Sequence, residues 1–256
     1  MRPGAADPTV RRVLRVLRAV ADATRLPGMA SVGINTRRAL GVSIPTLRRL
    51  AKRLGPDHAL ALGMWASEVH EARILASMVD DPALVTEEQM DAWAADLDSW
   101  DLCDQVCGNL FDRTPFARAK AREWSRRPEE FVKRAAFSLV AEAAVHDKAA
   151  PDRDFERFLP IIRRGAEDDR NAVRKAVSWA LRQIGKRNAQ LNAKAIAEAE
   201  RLLGSESRSA RWIARDALRE LTSDAVQARR RRATATAGRG RALGAAGGTG
   251  RRRRPR

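Results

Sequence analysis

Three blocks of the chain can be laid on one another. Val132-Lys133-Arg134-Ala135-Ala136-Phe137-Ser138-Leu139 aligns with Val173-Arg174-Lys175-Ala176-Val177-Ser178-Trp179-Ala180. Both align with Ala210-Arg211-Trp212-Ile213-Ala214-Arg215-Asp216-Ala217, and the three starts lie 41 and then 37 residues apart. Each block opens on a small or branched residue, runs through basic residues and ends in an Ala-rich apolar stripe. Val69-His70-Glu71-Ala72-Arg73-Ile74-Leu75-Ala76 is a weaker fourth copy. A unit of roughly 40 residues made of two helices cannot bury its apolar face alone, so such units must stack, and stacking creates one continuous core.

The intervening sequence is helical in character. There is no Tyr, period-two alternation is scarce, and Ala, Leu, Arg and Glu abound. Thr86-Glu87-Glu88-Gln89 reads as a capping box. Ile44-Pro45, Thr114-Pro115 and Arg127-Pro128-Glu129-Glu130 put Pro at the first turn of a helix. The pattern predicts about twelve helices between Pro8 and Thr222, the first over Thr9 to Ala23. The expected fold is therefore all-α, a superhelical solenoid of HEAT-like helix pairs over residues 1–226. Residues 227–256, rich in Arg, Gly and Ala, read as a disordered basic C-terminal tail.

The formal charge is +17. Eleven arginines and no acid lie between Gln227 and Arg256, so the remainder still carries +6. A body that is basic without its tail suggests a polyanionic partner, nucleic acid being the commonest. The tail clusters Arg229 to Arg232 and Arg251 to Arg254 suit phosphate tracking or simple solubilisation, and the sequence leaves both open. No apolar run is long enough to span a bilayer, and the N-terminus lacks the layout of a secretory signal. Cys103 and Cys107 share one predicted helix, where they are expected as buried thiols of a cytoplasmic protein.

One short run stands apart: Asp98-Ser99-Trp100-Asp101-Leu102-Cys103-Asp104-Gln105. Trp100 and Asp104 are four residues apart and so share a helix face. A carboxylate beside an indole in a cationic protein is a costly placement unless something positive docks against it. Asp101 is expected to cap or to pair with a basic neighbour. Trp65, Trp93, Trp124 and Trp212 are expected in the core or between repeats. Glu71 and Arg73 are expected to knit helices together. His70 lacks a partner cluster, and His58 and His146 carry no signal, so neither a metal nor a cofactor is expected.

Three separated segments, Asp98 to Gln105, Glu130 to Ala136 and Arg170 to Arg182, resemble the AlkD-like DNA glycosylases of the DNA alkylation repair family, in order and on a repeat framework. The resemblance covers roughly Asp22 to Leu221. It implies a superhelix of HEAT-like pairs that removes cationic purines alkylated at N3 or N7 by cleaving the bond from base to deoxyribose. It implies that Asp104 acts at the sugar, that Trp100 and Trp179 flank the lesioned nucleotide, and that Arg134 and Arg182 hold the DNA backbone. Lys133, Arg174, Lys175, Lys186, Arg187 and Arg211 are the candidates for further phosphate contacts. Asn171-Ala172 departs from the family pattern, where aromatic residues occur in some members. The partner expected is double-stranded DNA bearing alkylated purines, with no membrane, and the chain itself is expected to be a monomer, cytoplasmic and associated with the nucleoid. The rival expectations are a non-catalytic solenoid for damaged or branched DNA, and a protein-binding scaffold.

Overall fold

The computed structural model describes residues 8–228. The chain begins with α1 (Pro8–Ala19), a 3-10 turn (Ala23–Arg25), α2 (Leu26–Ser31) and α3 (Ile44–Leu54). It continues through α4 (His58–Ala66), α5 (His70–Val79), α6 (Glu87–Ala95) and α7 (Trp100–Asn109). A second 3-10 turn (Phe111–Arg113) leads to α8 (Ala117–Trp124) and α9 (Glu130–His146). The last helices are α10 (Asp152–Glu156), α11 (Leu159–Gly165), α12 (Asn171–Lys186), α13 (Ala189–Leu203) and α14 (Arg208–Leu221). Among the described residues there is no strand, and no helix is long and apolar enough to cross a membrane.

The helices form two rows. Helices α5, α7, α9, α12 and α14 lie side by side in an inner row, with α4 against α5, α8 against α9, α11 against α12, and α13 against both α12 and α14. The repeated blocks of the sequence are the starts of four of these five inner helices, α5, α9, α12 and α14. Their Ala stripes explain the close approach: Ala135, Ala136, Ala176, Ala180, Ala210, Ala214 and Ala217 are fully buried, and small side chains let helix axes come together. Cys103 and Cys107 are free, buried thiols that donate to the carbonyls of Phe131 and Ala135 across the α7–α9 seam.

The first half of the core is stiffened by indoles. Trp65 and Trp93 stack with ring centroids 3.9 Å apart. Trp93 leads to Phe111 at 6.3 Å, and Phe111 to Trp124 at 5.9 Å. Their polar edges are satisfied, with Trp65 Nε1 donating to Asp96 and Trp124 Nε1 to Asp91. Buried aromatic bodies with a partnered N–H contribute both area and orientation.

Local caps set the boundaries. Thr86 accepts from Gln89 N–H as its capping box requires, and Ser43 caps the helix that Pro45 opens. The first helix is shorter than expected. Asp22 Oδ1 accepts from the N–H of Thr24 and redirects the chain into a 3-10 turn, so α1 ends at Ala19. Glu71, buried on α5, accepts the N–H groups of Leu40, Gly41 and Val42, while Arg73 donates to Trp65 O and Asp96 O. Both knit helices, as expected. Gln227, assigned to the tail by sequence, donates to Leu221 O at 2.6 Å. The expected disorder of the Arg clusters falls on positions from 229 onward, outside the described residues.

Packing at the far end leaves no room for an added methyl. A Cβ on Gly165 would sit 2.2 Å from Phe137 Cζ, and Phe137 is fully buried. Gly165→Ala is therefore expected to lower stability by about 1–3 kcal/mol through overpacking, although Ala favours helix more than Gly does. Chemical denaturation of the variant checks this, and an unchanged or raised midpoint contradicts it.

Candidate functional site

A cavity of about 610 Å³ opens across the inner row. Trp100 and Asp104 reach it from α7, Glu130, Phe131 and Arg134 from α9. Asn171, Ala172, Lys175, Trp179 and Arg182 line it from α12, and Trp212 and Asp216 from α14. The segment after α2 supplies Val32 and Gly33. The spacings of three and four residues on each helix place these side chains on one face.

Asp104 is held on both of its carboxylate oxygens. Its Oδ1 accepts from Arg134 Nε at 3.1 Å and from Ser138 Oγ at 2.8 Å. Its Oδ2 accepts from Arg134 Nη2 at 2.7 Å. The Asp104 side chain retains 20% exposure against 6% for that of Arg134. Arg134 also donates through Nη1 to the carbonyl of Ala172 at 2.6 Å, so one guanidinium on α9 ties α7 to α12. Burial would lower its pKa, but the charge of Asp104 and the bond to it raise it above the usual arginine value. Arg134 is thus a largely buried group that holds Asp104 while still lining the groove. Trp100 donates from Nε1 to Val32 O at 3.0 Å, with the Arg134 guanidinium 5.9 Å from its ring centroid.

Trp179 is half-buried, packed on the core while lining the groove. With the Gln183 amide oriented to satisfy its neighbours, the Gln183 carbonyl accepts from Trp179 Nε1 at 3.0 Å. Trp100, Asp104 and Trp179, the three residues expected to act together, therefore do meet in one groove.

The expected phosphate contacts divide. Lys175 is exposed on the groove. Arg182 lines it too, but is paired with Glu220 and lies 3.4 Å from Asp216. Lys186 Nζ is 2.7 Å from the same Glu220. Lys133 is bound to Asp168 at 3.0 Å. Arg174 lies over the Trp212 ring at 4.6 Å. Two candidates are committed to backbone: Arg187 donates to the carbonyls of Ala144 and Ala150 over the Phe155 ring, and Arg211 to those of Ser205 and Glu206. Burial lowers the pKa of Arg187. Arg187 and Arg211 thus tie the fold through backbone carbonyls, and neither lines the groove.

The floor is less cationic than the sequence suggests, since Asp104, Glu130 and Asp216 offset Arg134, Lys175 and Arg182. Such a floor is suited to a cationic ligand more than to phosphate. Trp212 packs against the core as expected, but sequence reasoning did not place it or Asp216 at the groove, which both line. They repeat the Trp100–Asp104 spacing on α14, and that repetition was the available signal. Asp216 accepts from Ser178 Oγ at 2.7 Å, as Asp104 does from Ser138. Behind the groove, His70 Nε2 and Asp101 Oδ2 are 2.8 Å apart. Burial opposes both charges, but their mutual bond prevails, raising the pKa of His70 and lowering that of Asp101. Asp101 thus pairs with a basic neighbour, as expected.

Comparison with known proteins bears on the fold and the family. A protein described as one of "a new family of proteins related to the HEAT-like repeat DNA glycosylases with affinity for branched DNA structures" has a similar fold, with TM-score 0.67 and 19% identity over 75% of this chain and 82% of that one. A designed armadillo repeat protein is a more distant likeness, at TM-score 0.36 and 15% identity over 86% of this chain and 96% of that one. No curated protein matches. The family model for "DNA alkylation repair enzyme" matches residues 13–221. That span takes in every helix that lines the groove, and the chain belongs to the DNA alkylation repair enzyme family.

Proposed function

We propose that the chain is a DNA glycosylase that hydrolyses the N-glycosidic bond of purines made cationic by alkylation at N3 or N7 in duplex DNA. The observation that carries this reading is the convergence of Trp100, Asp104 and Trp179 in one groove. An alkylated purine already bears a positive charge and leaves with the bonding electron pair, which neutralises it. No strong general acid is needed. The sugar becomes oxocarbenium-like, so the transition state gains most from a fixed carboxylate near C1′. Water then adds to C1′ and gives up a proton, for which Asp104 is the acceptor in reach. Arg134 and Ser138 fix that carboxylate in advance, which limits reorganisation during reaction. Indole faces attract cationic and polarised C–H groups by about 0.5–2 kcal/mol each. Lys175 is the groove cation available to a phosphate, and the exposed Arg208 and Arg215 share the face of α14 near Trp212 by spacing.

The ion pair between Asp104 and Arg134 favours a second reading, binding of damaged or branched DNA without hydrolysis, because a paired carboxylate presents a weaker field. One experiment separates the two. Duplex DNA containing 7-methylguanine is incubated with the protein and free base is measured against a no-protein control, with binding followed in parallel. Accelerated release supports the glycosylase. Salt-sensitive binding with release at the control rate supports the second reading and overturns the first.

A further inference from the structure

Away from the groove, the α7–α9 seam ends in a cluster that the proposed reaction does not use. Asp112 lies on the 3-10 turn after α7, and Glu142 and His146 are one turn apart on α9. His146 Nδ1 is 2.5 Å from Asp112 Oδ2 and 3.7 Å from Glu142 Oε2. One ligand atom from each of the three residues falls within 4.8 Å of the others.

Two observations set this cluster apart from an ordinary surface tie. The Asp112 side chain is 1% exposed, yet its Oδ1 is buried with no hydrogen-bond partner. A buried carboxylate oxygen without a partner is costly. Second, Gly108 lies in the last turn of α7, facing Glu142 on α9. A Cβ there would lie 2.7 Å from Glu142 Oε1, so the missing side chain makes room for that carboxylate.

We propose that Asp112, Glu142 and His146 bind a divalent transition-metal cation of the Zn²⁺ type, which clamps the turn after α7 onto α9. One imidazole nitrogen with two carboxylate oxygens suits Zn²⁺ or Mn²⁺ better than the all-oxygen ions Mg²⁺ and Ca²⁺. Protein ligands at about 2.0–2.2 Å leave further positions for water, and His146, with its side chain 53% exposed, leaves the site open to solvent. The cation would sit between His146 and the two carboxylates and give the buried Asp112 side chain, whose Oδ1 has no partner, an oppositely charged neighbour. Because α9 also carries Arg134 and Ser138, the clamp would brace the helix that holds Asp104. Sequence passes over the site because Asp112 and His146 are 34 residues apart.

The test is calorimetric titration of ZnCl₂ into the chelator-stripped full-length chain, with Mg²⁺ and Ca²⁺ as comparisons. Residues 227–256 contain no His, Cys, Asp or Glu and so supply no competing set. The expected result is one equivalent of Zn²⁺ bound and a raised thermal midpoint. Glu142→Gln and His146→Ala should each weaken binding at least about 10-fold and abolish the thermal shift. Circular dichroism establishes that each variant is folded, and the absorption of Co²⁺ in place of Zn²⁺ reports directly on the ligand set. Absence of Zn²⁺ binding to the wild type overturns the proposal, and so does binding that both folded variants keep unchanged.

Discussion

Asp104→Asn is expected to slow release of 7-methylguanine from duplex DNA by about 10²–10³-fold, the usual loss when one preorganised electrostatic group is removed from a transition state. Asn keeps the size of the side chain and an oxygen able to accept from Ser138 Oγ, which now stands 2.8 Å from Oδ1. It removes the charge that would meet the cationic sugar. Affinity for undamaged duplex should change far less, because the groove cation Lys175 is untouched. The measurement is single-turnover release at a temperature where circular dichroism shows the variant folded. Release as fast as that of the wild type assigns Asp104 to holding Arg134 alone.

Arg134→Met is expected to cost about 3–5 kcal/mol of stability, the usual penalty for breaking a buried ion pair from one side. The guanidinium serves three elements. It meets Asp104 on α7, starts from α9, and donates to the Ala172 carbonyl on α12. Methionine fills much of the volume and satisfies neither partner. The double variant Asp104→Leu with Arg134→Met should recover much of that loss, since an apolar pair leaves no stranded charge. Urea titrations of the single and double variants test both statements. A loss below about 1 kcal/mol for the single variant would mean that solvent already screens the pair.

The repeat architecture was legible because its cause is local. Ala stripes recur at fixed spacing, and the inner helices begin where those stripes do. The Trp100–Asp104 pair was legible for the same reason, since four residues on a helix fix a shared face. The destinations of long basic side chains were not. Arg187 and Lys133 end on groups 35 to 43 residues away, chosen by how neighbouring repeats stack. Arg211 turns back to the carbonyls just ahead of its own helix. Trp212 packs against the core as expected, but its second role at the groove was hidden, because an indole between repeats and an indole at the groove have the same sequence pattern. The surplus of positive charge likewise gave no sign that the acids of the inner row would neutralise the floor.

The division of the indoles has a practical consequence. Half of the six tryptophans, Trp65, Trp93 and Trp124, sit in the aromatic core, and the other half, Trp100, Trp179 and Trp212, line the groove. With no tyrosine in the chain, near-ultraviolet emission comes from these two populations without a phenolic background. A quencher dissolved in the buffer reaches mainly the second. The molecule thereby carries an intrinsic optical reporter, in which occupancy of the groove and loss of the folded core give separate signals without any attached dye.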